Sequence, residues 1–104
     1  MLTVDLPDVE LYDEVKNEFI IKKGRRLVLE HSLVSLSKWE SKWNKPFLTN
    51  DEKTSEELLD YIKCMTITQN VSDETYEHLT RKTIREINDY IHAPMTATTI
   101  NSID

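Results

Sequence analysis

The sequence predicts an α+β domain in which a small antiparallel sheet precedes three or four helices. Three observations carry this. Alternation at Leu2–Leu6 and more weakly at Val9–Leu11, with two short apolar runs, makes the first 31 residues read as β, and from residue 32 the apolar spacing changes to three-and-four. One glycine and three prolines in 104 residues leave few breaks for a many-turned sandwich. The length suits one domain, read as 1–93 with 1–31 β-rich and 32–93 helical, followed by an extended or mobile tail over 94–104.

The first strand is read from Leu2, Val4 and Leu6, which alternate with Thr3 and Asp5 until Pro7 stops the run. Val9 and Leu11 give a second, weaker alternation. Glu18–Ile21 and Arg26–Leu29 then flank Lys22-Lys23-Gly24-Arg25, and the sole glycine predicts a β-hairpin turn there. Ser32 is placed to cap a helix carrying Leu33, Leu36, Trp39 and Trp43, which Asn44-Lys45-Pro46 ends. Thr54-x-x-Glu57 is a capping box opening a helix with Leu58, Leu59, Ile62 and Met65. Ser72 precedes a short helical turn with Tyr76 and Leu79. Thr80 caps a last helix with Ile84, Ile87 and Ile91 on one face, closed by Pro94.

The formal charge of −6 is uneven: residues 1–45 balance, and residues 46–104 carry eleven acids against five bases. An acidic half repels phosphate, which argues against nucleic acid as a partner and suits a basic protein surface. Cys64 is the only cysteine, so no intrachain disulfide is expected and a reducing interior is the natural compartment. No apolar run approaches 18 residues and the N-terminus is acidic, so neither a membrane span nor a signal peptide is expected.

No set of residues stands out as a catalytic centre, and no enzyme, metal or cofactor is expected. His31, His78 and His92 lack the spacing that puts two ligands on one helix face. Asp13, Glu14 and Lys16 contain a Glu-x-Lys pattern found in small metal-dependent nucleases, but the pattern is short and carries little weight. A single glycine rules out a Gly-rich phosphate loop. Cys64, next to core Met65, reads as a half-buried structural thiol. Binding is the remaining role. The candidate contact residues are Trp39, Trp43 and Phe47, an aromatic group with at least one tryptophan expected in the core; the basic turn Lys22, Lys23, Arg25 and Arg26; and Met95 in the tail.

Glu30–Trp43 followed by Lys45-Pro46-Phe47-Leu48, the stretch Tyr61–Thr66 and the ending Pro94–Thr99 resemble proteins of tailed-bacteriophage structural gene clusters. Within those clusters the chain is most similar to the tail assembly chaperones, from which its β-rich first third departs. The resemblance implies binding of the tape measure protein and tail tube subunits, or of connector subunits, by a homo-oligomer. It implies no catalytic residue. The implied location is the host cytoplasm during assembly, with the virion as alternative. A chaperone would keep surplus apolar surface around Trp39, Trp43, Leu58, Ile62, Ile84 and Ile91 for a client helix. A permanent virion component, in the neck, connector or tail, would instead reach neighbouring subunits with its hairpin and tail.

Overall fold

The computed structural model describes residues 1–93, so the expected tail over 94–104 and its Met95 lie outside the described residues. The order is four strands and then helices: β1 (Leu2–Asp5), β2 (Val9–Asp13), β3 (Glu18–Lys22), β4 (Arg26–Leu29), α1 (Leu33–Trp43), α2 (Ser55–Met65), a 3-10 helix (Asp73–His78) and α3 (Arg81–His92). The predicted α+β class and the order of its halves are found.

The strands pair differently from the sequence expectation. β3 and β4 do not form a hairpin about Gly24; β3 pairs with β2, and β4 with β1, both antiparallel. The two pairings keep one register. Stepping inward from Asp5↔Arg26 leads without a slip to Val9↔Lys22, so the first 29 residues are one long hairpin interrupted in the middle. Pro7 stands at the interruption opposite Gly24, in a pair whose N–H groups face outward, a position that tolerates proline. Gly24 is needed for close approach and not for a turn: a Cβ there would stand 1.8 Å from the Leu6 carbonyl oxygen. Its φ is not positive. The turn falls at Glu14–Asn17, where Asp13 Oδ1 accepts the N–H groups of Val15 and Lys16, and Asn17 takes the left-handed conformation at φ 54°.

The helices start where the sequence places them. Ser32 caps α1 with Ser35 as its reciprocal partner, and Thr54 caps α2 with Glu57. Asn44, left-handed at φ 52°, ends α1 ahead of Pro46. Thr80 caps α3. The chain leaves α2 at Thr66 and runs along the outer edge of β4. There Ile67 N–H donates to the Val28 carbonyl at 2.8 Å, Val28 N–H to Thr68 Oγ1 at 2.7 Å, and Glu30 N–H to the Met65 carbonyl at 2.8 Å.

One core joins these pieces. Val4, Leu6, Leu27 and Leu29 from the inner half of the hairpin meet Trp39 and Phe47, Tyr61, Ile62 and Met65 of α2, Tyr76, and Ile87 and Ile91 of α3. Each large apolar side chain buried this way contributes roughly 1.5–3 kcal/mol relative to exposure. The core stops at the interruption. β1 contacts α3 and β4 contacts α2, whereas the strongest neighbours of β2 and β3 are each other.

Candidate functional site

The outer half of the hairpin, Val9–Lys22, projects from the body as a two-stranded arm. Directly opposed residues share a face of an antiparallel ribbon. One face therefore carries Glu10, Tyr12, Phe19 and Ile21, and the other Val9, Leu11, Asp13, Glu18, Ile20 and Lys22. Phe19 is 67% exposed, Ile21 62% and Tyr12 48%, while Leu11 on the second face is 40% exposed and Val15 at the turn 96%. The Tyr12 and Phe19 rings touch edge to face at 5.1 Å between centroids. An apolar ribbon without a covering layer is an interaction surface by default, since a two-stranded hairpin is marginal alone.

The sequence reading missed this surface. The apolar run Phe19-Ile20-Ile21 marks a strand and puts two apolar residues on one face and one on the other. Such a run does not say whether anything packs on either face.

The residues singled out from the sequence are placed as follows. Trp39 is core at 1% exposure, its Nε1–H donating to the Glu57 carbonyl at 3.0 Å. Phe47 is buried edge-on against Trp39, with centroids 5.0 Å apart. Trp43 is half-buried, stacked on Trp39 at 5.9 Å, and its Nε1 has no partner among the described residues. Trp39 and Phe47 are therefore not exposed anchors. The client-binding helix faces are corrected too: Ile62 and Ile91 are buried, and Leu58 and Ile84 partly so. Where α1 does expose apolar surface is its first turn, at Leu33 and Val34.

The basic cluster stands at the interruption and not at a hairpin tip. Each of its cations has a partner in the chain. Lys22 pairs with Glu74, Lys23 with Asp8 at 3.5 Å and Arg26 with Asp5 at 2.8 Å. Arg25 donates to the carbonyls of Asn70 and Gln69. Gly24 N–H also donates to Asp8, which together with Lys23 holds that carboxyl below its ordinary range. These side chains pin the base of the arm to the loop after α2 and to the 3-10 helix.

A polar group inside the core joins His31, Ser35, Tyr61 and Tyr90. The His31 ring nitrogen Nδ1 meets the Tyr61 hydroxyl, Ser35 Oγ lies 2.9 Å from the same hydroxyl, and His31 N–H donates to the Tyr90 hydroxyl at 3.0 Å. Burial lowers the His31 pKa and raises that of Tyr61. Ser35 is 2% exposed and Tyr61 fully covered, so no substrate reaches this serine–tyrosine–histidine contact. Its role is to satisfy polar groups where α1, α2 and α3 meet.

Asp13 spends its carboxylate on the turn N–H groups, and Glu14 is exposed. Among the described residues no group of three His, Cys, Asp or Glu side chains converges as a metal site would require. No described helix is long and apolar enough to cross a membrane. Cys64 is half-buried, and burial raises its thiol pKa. A cleft of about 450 Å3 lies between the Thr49–Lys53 loop and the end of α3, lined by Phe47, Leu58, Ile91 and a rim that includes Lys53, Asp89 and His92. No protein-family model, no curated protein and no solved structure matches the chain.

Proposed function

We propose that this chain is a protein–protein interaction module of bacteriophage particle assembly, acting through the Val9–Lys22 arm as a permanent component of the virion. The phage setting rests on the sequence resemblance. The mode of action rests on one observation: the exposed apolar surface is concentrated on a ribbon that projects from a finished core. A projecting ribbon suits insertion into a neighbouring subunit, where strand edges and both faces are covered at once. The helix faces that a tape measure client would need are occupied by the chain's own core.

The tail assembly chaperone is the second reading, and the exposed Leu33 and Val34 of α1 favour it. One experiment separates the two. Mass spectrometry of purified particles from the phage encoding the chain should find it at a fixed copy number. If it is absent there and co-purifies from infected cells with a tape measure fragment, the chaperone reading replaces the first.

A further inference from the structure

We propose that the outer edge of β3 pairs with the same edge of a second copy of this chain, antiparallel and centred on Ile20, to form a four-stranded sheet β2-β3-β3-β2. This rests on the arm being the contact surface and names what one of its edges takes.

The phase of the hydrogen bonds favours this pairing. Leu6 N–H donates to the Arg25 carbonyl at 2.9 Å, so that opposed pair is bonded within the hairpin. Val28 points both its N–H and its carbonyl outward, to Thr68 and Ile67. Because the register runs unbroken from β4 into β3, the same alternation turns the N–H and carbonyl of Glu18, Ile20 and Lys22 outward. A two-fold axis at Ile20 needs that residue's own N–H and carbonyl to face its counterpart, and they do.

The sequence of β3 is also self-complementary. β3 reads Glu-Phe-Ile-Ile-Lys. Laid antiparallel on itself about Ile20, it sets Glu18 opposite the second copy's Lys22 at both ends, Phe19 opposite Ile21, and Ile20 opposite Ile20. Cross-strand pairs of opposite charge and of aromatic with β-branched residues are each worth a few tenths to one kcal/mol. The edge of β2 (Val-Glu-Leu-Tyr-Asp) has no such match, because about Leu11 it sets Val9 against Asp13 and Glu10 against Tyr12.

The neighbouring stretch of the same edge is already used. Residues 65–68 cover the outer edge of β4, and no described strand covers that of β3. With Ile20 as centre, the second copy's turn arrives beside Lys23. A groove of about 220 Å3 lies there between the base of the arm and the 3-10 helix, lined by Lys22, Lys23, Ser72, Glu74, Thr75 and His78. Lys22 already meets Glu74, and an ammonium with three donors accommodates Glu18 as well. Pairing leaves Tyr12, Phe19 and Ile21 of both copies on one continuous face, which doubles the apolar area offered to another subunit.

Five paired residues a side make a contact smaller than the interfaces of stable dimers, so micromolar association is expected. Sedimentation equilibrium of the full chain from about 10 to 500 μM should show monomer and dimer in exchange. Glu18→Lys, which brings like charges together at both ends, should weaken the dimer about tenfold or more. The double swap Glu18→Lys with Lys22→Glu should restore it in part, because Lys22→Glu also gives up the pair with Glu74. Ile20→Pro, which removes only an outward N–H, should abolish it while circular dichroism stays native. A wild-type chain that is monomeric throughout, or a dimer indifferent to Glu18→Lys and Ile20→Pro, overturns the proposal. Either result leaves the arm's role toward other virion proteins standing, because particle mass spectrometry reads that separately.

Discussion

Pro7 faces Gly24 across the middle of the long hairpin, between a half that is buried and a half that is not. The pair marks where ladder pairing lapses without loss of register. On one side lie Val4 and Leu27 in the core; on the other lie Phe19 and Ile21 in the open.

Gly24→Ala should therefore destabilise the protein although no left-handed conformation is at stake. The added methyl meets the Leu6 carbonyl and the Pro7 backbone, neither of which is a flexible side chain. Overpacking of this kind costs roughly 1–3 kcal/mol. Urea unfolding should show it as a lowered midpoint, with Lys23→Ala next to it nearly neutral because its ion pair is exposed.

Phe19→Ser combined with Ile21→Ser should leave the unfolding midpoint within about 0.5 kcal/mol of wild type, as surface changes do. The same variant should lose incorporation into particles. A core role for the arm would reverse the pattern, lowering stability first.

Stability should fall as the pH drops below about 6.5, the ordinary value for a histidine. Burial lowers the His31 pKa in the fold, so as the pH falls the unfolded chain takes up a proton there more readily than the folded chain. The Tyr61 hydroxyl and the Phe47 and Tyr90 rings surround it, and no carboxylate among its hydrogen-bond partners offsets the cost. His31→Gln should flatten the dependence of the urea midpoint between pH 7.5 and about 5.5.

A second pH window lies lower. Lys45 and the Thr54 N–H hold the Glu57 carboxyl at about 2, below its ordinary 4.5. The folded chain then binds fewer protons than the unfolded one, so the stabilisation is present above 4.5 and is lost as pH falls toward 2. Acid titration followed by tryptophan fluorescence should show this loss, and Glu57→Gln should remove it. Trp39, bonded to the Glu57 carbonyl, is the natural reporter.

Helix starts were legible in the sequence because caps are local: Ser32, Thr54 and Thr80 each act on a backbone N–H three residues on. The strands were legible as strands, but their pairing was not. Reading Gly24 as the turn assumed that the lone glycine must sit where φ is positive, whereas the left-handed positions are held by Asn17, Asn44 and Asn70. Asn tolerates that conformation at little cost, and Asp13 with Asn17 five residues before Lys22 was the overlooked turn signal. Among the site residues, Trp39 and Trp43 were separable from solvent but not from each other. Helical spacing puts both on one face, and only the third dimension sets Phe47 and Glu57 over the first.

The nested ribbon also orders events at the ribosome. Every strand partner of the arm lies within the first 22 residues, while α2 and α3, which bury Leu27 and Leu29, are made after residue 54. The strands of the arm are thus complete in the nascent chain well before the helices that anchor its base have been made.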